Sequence, residues 1–251
     1  MQIARRSLLA AAALAPAAPS VAWARELSSG VFTHGVASGD PLADSVMLWT
    51  RFVAASGEGR VAWEIAEDES FANVAQRGEA VASFANDFCV KVDARGLQPG
   101  RAYFYRFLSA SGPSLTGRTR TAPQAGAESL RIALISCANF PLGYFHAYSH
   151  AAACEDIDIA VHTGEYIYEY ARGTYPNADE TAPGRVLDPV SEIVRLSDYY
   201  QRYAIYHTDP HLLALRQAKP LSVVWDDHEL ANNTWRNGAQ NHQPRSEGSF
   251  V

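Results

Sequence analysis

Three short segments hold the groups whose types and spacing could do chemistry. Ser136-Cys137-Ala138-Asn139 offers a thiol and an amide. His162-Thr163-Gly164-Glu165-Tyr166-Ile167-Tyr168-Glu169 offers an imidazole, carboxylates and phenols. Asp226-Asp227-His228-Glu229, with Asn232-Asn233 just after, adds carboxylates, a second imidazole and amides. Carboxylate and amide oxygens suit hard cations such as calcium, whereas a thiolate suits iron or zinc, so the mixed set points to more than one kind of metal. Clustered metal ions can activate water near neutral pH and neutralise the charge that builds on a phosphoryl group.

These segments need a scaffold that brings them together. Each follows an apolar run too short for a comfortable helix: Leu130–Ser136, Ile157–Val161 and Leu221–Trp225. Helix-compatible stretches lie between them at Tyr144–Cys154, Ser191–Tyr206 and Asp209–Ala218. Buried strands alternating with helices predict an α/β domain with a largely parallel sheet. In open sheets of that kind, ligands bind beyond the carboxyl ends of the strands. Taken singly, each group has a plain structural reading. Cys137 would be a packed small hydrophobe. Tyr166, Tyr168 and Tyr170 would be one aromatic face of an extended segment. Asp226-Asp227 would be a turn or a helix cap before Glu229–Ala231. His162 and His228 would be interior histidines. Their joint placement after three successive strands favours a shared site.

The preceding region reads differently. From about Ser29 to Pro123, short runs rich in Val, Trp, Tyr and Phe are punctuated by Gly, Pro, Asp and Asn. They are Val46–Arg51, Val61–Ile65, Phe88–Val92, Ala102–Leu108 and Gly117–Thr121, and they predict an antiparallel β-sandwich. Tyr103, Tyr105 and Phe107 alternate and so share a strand face. The turn Leu97-Gln98-Pro99-Gly100 is typical of fibronectin-III-like domains, and Thr121–Ala127 reads as a linker. The expected fold is therefore mixed β and α/β. A fibronectin-III-like β-sandwich over 25–123 precedes part of an α/β domain over 129–251.

Residues 1–24 carry Arg5-Arg6, an Ala/Leu-rich run and Ala22-Trp23-Ala24. That is the layout of a bacterial signal peptide, and the paired arginines before Ser7-Leu8-Leu9 resemble a twin-arginine signal. The chain is thus expected to use the twin-arginine translocation machinery and to work in the periplasm or outside the cell. Pro16 and Pro19 break the apolar run, and no later run is long enough to span a bilayer.

Composition narrows the partners. Of 251 residues, 47% are hydrophobic and 19% charged, which excludes a disordered or fibrous chain. The formal net charge is -6, and removing the leader takes away two basic residues and no acids. Such a chain is poorly suited to tracking nucleic acid or an anionic membrane surface. Its acids suit multivalent cations. Cys89, Cys137 and Cys154 are too few and odd in number for a disulfide framework.

Phe32-Thr33-His34-Gly35-Val36-Ala37-Ser38-Gly39-Asp40-Pro41 and Val46-Met47-Leu48-Trp49-Thr50-Arg51 resemble the opening of the PhoD-like N-terminal domain. The segments Ser136–Asn139, His162–Tyr170 and Trp225–Asn233 are similar to catalytic motifs of PhoD-like alkaline phosphatases, and the match runs from about Gly30 to the end. The resemblance implies that the α/β domain over 129–251 is of metallophosphoesterase type and uses one ferric ion (Fe3+) and two calcium ions (Ca2+). It places Cys137 and Tyr168 on iron, Glu165 where the family has a bridging aspartate, and Asp226 or Asp227 with Asn233 on calcium. His228 and Asn139 fall near the phosphate or behind the ligands. Glu165 is one methylene longer than aspartate, enough to shift a bridging oxygen by about an ångström. Family members continue well past Val251, so the α/β domain is expected to be incomplete at its C-terminus and part of its sheet uncovered.

The reading that follows is an exported metal-dependent hydrolase of phosphate mono- or diesters. A phospholipase D-like hydrolase is the alternative within that class. The rival from another class is a truncated, non-catalytic secreted binding protein, which metal content would separate from an enzyme.

Overall fold

The computed structural model describes residues 26–127 and 129–250, so the leader expected over 1–24 lies outside the described residues. Eight strands come first: β1 Gly30–Gly39, β2 Ser45–Ala54, β3 Gly59–Ala66, β4 Val74–Ala82, β5 Cys89–Arg95, β6 Ala102–Ser109, β7 Gly112–Pro113 and β8 Gly117–Arg120. They form two antiparallel sheets, ordered β1-β2-β5 and β4-β3-β6-β7, with β8 also paired to β6. Alternation along the strands explains the core between the sheets. Val46, Leu48 and Phe52 of β2 meet Val61 and Ile65 of β3, and Tyr103, Tyr105 and Phe107 of β6 are all fully buried on one face.

Three of these strands lie outside the sequence expectation: β1, β4 and the two-residue β7. In β1 the pairing with β2 shifts register between Thr33 and Val36, where His34 and Gly35 take positive φ. The bulge breaks the alternation that marks a strand. In β4, Gly78 sits against the Trp63 ring; a Cβ there would stand 2.8 Å from Trp63 Nε1. Glycine admits the ring of the neighbouring strand but weakens the strand signal.

Past the linker, β9 Ile132–Ile135, α1 His146–Ala153, β10 Ile159–His162, α2 Leu196–Tyr206, α3 Pro210–Ala218, β11 Leu221–Val223 and the short α4 Pro244–Glu247 follow. The strands form a parallel sheet ordered β11-β10-β9. Helix α2 begins five residues later than the expected Ser191, because the Asp198 carboxylate reaches back to the Val194 and Arg195 N–H groups and sets the first turn there. Helix α3 starts on Pro210, capped by Asp209, which accepts from His211 N at 2.8 Å and Leu212 N at 2.9 Å.

One face of this sheet, carrying Ala133, Ile135, Ala160 and Leu221, packs into a core with Tyr148, Leu212 and Leu215 from the helices. On the opposite face Ile132 and Leu134 stand exposed. The two parts of the fold touch through α3 and the start of β11. Ser38 bridges Pro220, Gln217 Nε2 donates to Thr116 O at 2.7 Å, and Arg216 Nη1 donates to His34 O at 3.3 Å. All three cysteines are free, and no helix among the described residues is long and apolar enough to cross a membrane.

Candidate metal centre

The chemistry-bearing segments emerge from the carboxyl ends of β9, β10 and β11. After β10, Gly164 turns the chain with φ 104°; a Cβ there would lie 2.4 Å from Asp226 Cβ and 2.6 Å from Asp226 N. Glycine is what lets the loops after β10 and β11 touch. The loop after β9 joins them by backbone bonds, Cys137 N to Gly164 O at 3.2 Å and Ala138 N to Glu165 O at 2.8 Å.

Glu229 locks this meeting point. Its buried carboxylate accepts from the N–H groups of Glu165 at 3.0 Å, Tyr166 at 2.5 Å and Asp226 at 2.7 Å. Arg202 of α2, fully buried, holds the next stretch by donating to the carbonyls of Tyr168 and Tyr170. Tyr166, Tyr168 and Tyr170 therefore do not share one face. Tyr166 turns inward to His207, whose Nε2 lies 2.9 Å from its hydroxyl, while the Tyr168 and Tyr170 rings pack on His228 at 4.5 and 5.4 Å.

Within this frame Glu165, Asp227 and His228 each offer a ligand atom, all within 4.8 Å of one another. Tyr168 donates its hydroxyl to Glu165 Oε2. Cys137, Glu165 and Asn233 take left-handed backbone conformations, with φ of 58°, 53° and 51°. Non-glycine residues held there cost of order 1–3 kcal/mol each and cluster at functional sites.

The electrostatics match a gathering of acids. A Ser136 hydrogen bond favours the Cys137 thiolate, but burial and the Glu165 carboxylate outweigh it and push the thiol up. Burial, then the bond to Glu165, pushes the Tyr168 phenol well above its usual range. Both groups would need a nearby cation to ionise near neutral pH. For His228, burial opposes the charge, yet the Glu169 hydrogen bond and the surrounding carboxylates win and raise its pKa.

The remaining residues singled out from the sequence lie as follows. Asp226 is exposed and accepts from Asp227 N at 2.9 Å as the cap of a short turn. Asn233 is exposed; its N–H donates to Asp227 Oδ2 at 2.6 Å and its amide to Gln240. Asn139 is buried with both side-chain amide atoms lacking a partner. An orphaned buried amide two residues after Cys137 fits a site built to take polar or ionic groups.

Sequence reasoning quoted Glu169 and Glu229 inside their motifs and gave them no role. Glu169 is 1% exposed and grips His228 Nδ1 at 2.8 Å. The pattern Asp226-x-x-Glu229, that of a capping box, was the available signal for Glu229; Glu169 had none, since its partners lie 59 or more residues away.

The sequence matches two family profiles: PhoD-like phosphatase, N-terminal domain, over residues 15–123, and PhoD-like phosphatase over residues 132–251. Alkaline phosphatase D of Bacillus subtilis (strain 168) is 42% identical over 221 residues, covering 84% of this chain and 37% of that protein. The chain thus spans little more than a third of the length of this curated relative. Among solved structures, that of PhoD superposes with a TM-score of 0.77 at 38% identity, over 88% of this chain and 43% of the other. The purple acid phosphatase PPD1 from yellow lupin (Lupinus luteus) seeds gives a TM-score of 0.55 at 11% identity, over 88% of this chain and 39% of that one. The latter is a likeness of the mixed β/α fold alone.

Proposed function

The chain belongs to the PhoD-like phosphatase family, and on that premise we propose that it forms part of an exported, metal-dependent hydrolase of phosphate mono- or diesters. The observation that carries the reading is the convergence of Glu165, Asp227 and His228 from the ends of two adjacent parallel strands. Tyr168 lies against Glu165, and Cys137 is joined to the same loop.

In this reading Cys137 and Tyr168 would hold ferric iron, Asp226 or Asp227 with Asn233 would serve calcium, and Glu165 would be a further ligand. Bound there, the ions would supply electrophilic charge for a phosphoryl group and activate water. The chain's own residues do the rest. His228, fixed through Nδ1 by Glu169, leaves Nε2 to hold a proton against a phosphoryl or leaving-group oxygen. The buried Asn139 amide contributes a donor to the same oxygens. Glu229 and Gly164 keep the two loops in register.

The proposal extends to organisation and export. Residues 1–24 are a twin-arginine leader handled by that translocation machinery, and the enzyme works in the periplasm or outside the cell. Residues 25–123 form a fibronectin-III-like module, and 129–251 belong to the metallophosphatase domain.

The test is hydrolysis of a chromogenic phosphodiester and a chromogenic monoester by the purified 25–251 chain with iron and calcium. Turnover that disappears on chelation and returns with the metals supports the reading. Turnover indifferent to chelation, or failure of the chain to bind either metal, contradicts it.

A further inference from the structure

Between the β1-β2-β5 sheet and the α/β part runs a cleft of about 410 Å³, lined by Ser38, Trp49, Lys91, Tyr166, His207 and Arg216. A chamber of about 640 Å³ shares Trp49, Lys91, Tyr203 and His207 with it. The combined space is of the size that takes small molecules.

Arg216 is the unusual feature. It is 4% exposed on the last turn of α3, donates to the His34 carbonyl and lies over the Trp49 ring at 4.4 Å. Among the described residues no carboxylate forms an ion pair with it. A buried charge without a counter-charge is costly, and a backbone carbonyl and an indole face offset only part of that cost.

The lining shares the same polarity. Lys91 projects from β5 with no ion pair among the described residues, and the Ser38 hydroxyl, 3% exposed, faces only the buried Tyr105 phenol. The acids nearby do not cancel these cations. Asp87 is paired with Arg51 at 2.8 Å, and Asp40 is exposed at the rim. Trp49 and His207 meet edge to face at 5.7 Å, with Tyr203 beside them, so aromatic surface stands next to uncompensated positive charge.

We propose that this cleft binds a small aromatic anion, its carboxylate or phosphate group against Arg216 and Lys91 and its flat ring among Trp49, Tyr203 and His207. The site is formed by both parts of the fold, and it does not depend on the phosphatase reading.

Isothermal titration of the chelator-treated 25–251 chain with adenosine monophosphate, and separately with indole-3-acetate, tests it and distinguishes phosphate from carboxylate. At least one probe should bind with one-to-one stoichiometry, and the uncharged adenosine or indole should bind about tenfold more weakly. Lys91→Ala should weaken the charged probe about tenfold, and Arg216→Gln should abolish binding. If Arg216→Gln does not fold, Lys91→Ala decides alone. A Glu165→Ala/Asp227→Ala double variant should bind as the parent does. Three outcomes overturn the proposal: no saturation by either probe at millimolar concentration, unchanged affinity in Lys91→Ala, or loss of binding in the double variant, which would place the anion at the metal centre.

Discussion

Glu169 Oε2 lies 2.8 Å from His228 Nδ1, while the other Glu169 oxygen accepts from Asn232 N at 2.7 Å and Asn241 Nδ2 at 2.8 Å. A buried carboxylate so held can fix both the orientation and the tautomer of the ring it faces. Replacing it by an amide keeps the shape and removes the charge. Glu169→Gln is therefore expected to leave the fold intact by circular dichroism and to lower kcat by about 10- to 100-fold. Turnover equal to the parent's would show that His228 needs no partner.

Glu229 has a different duty. Truncation to alanine strands the buried Tyr166 N–H and the half-buried N–H groups of Glu165 and Asp226. An unsatisfied buried donor costs about 1–3 kcal/mol, so Glu229→Ala should lose about 1–3 kcal/mol in urea unfolding through Tyr166 alone, and turnover with it. A loss under 1 kcal/mol, on the order of a single ordinary hydrogen bond, would mean the loops hold together without the clamp.

Gly164→Ala tests the same junction from the other side. The added methyl meets Asp226 within 2.6 Å at a φ of 104°, so the loops must separate. Backbone strain alone costs about 1–3 kcal/mol. Metal affinity should fall further than stability does, as read by calcium titration. Unchanged affinity would place the metals away from this contact.

The gap between what was legible and what was not has a physical pattern. The β2, β3 and β6 runs were readable because alternating large apolar residues face a single core. The strand–helix alternation after residue 129 was readable because its parallel strands are short and continuously apolar, although the sheet face carrying Ile132 and Leu134 stands exposed. His34 and Gly35 hid β1, and Gly78 hid β4, since both strands give up the alternating pattern to accommodate a neighbour. At the candidate centre, the residues able to meet a ligand were visible as chemical types. Their supports were not: Glu169, Glu229 and Arg202 act on groups 32 to 72 residues distant, except for the Glu229 bond to Asp226 and the Arg202 bonds to Asp188 and Pro189. Such roles exist only after folding.

Acid sensitivity should follow from His162. Burial holds its pKa at about 4, against roughly 6.5 in an unfolded chain. Between these values the unfolded chain binds more protons, so stability rises with pH across that window and is lost as pH falls through it. The half-buried His207, also lowered by desolvation, adds the same sign. For chelator-treated protein, moving from pH 7 to pH 5 should cost about 2 kcal/mol through His162 alone. His162→Gln should shrink that difference in urea midpoints; an identical pH dependence in the variant would assign the effect elsewhere.

The most direct test of the central claim is elemental analysis of the purified 25–251 chain beside a Glu165→Ala/Asp227→Ala variant and a Cys137→Ser variant, all loaded with iron and calcium and then desalted. The account predicts that the parent retains both metals, that Cys137→Ser loses iron while staying folded, and that the double variant loses calcium and iron together. Equal metal content in all three proteins, or none in the parent, would contradict a metal centre built from these residues.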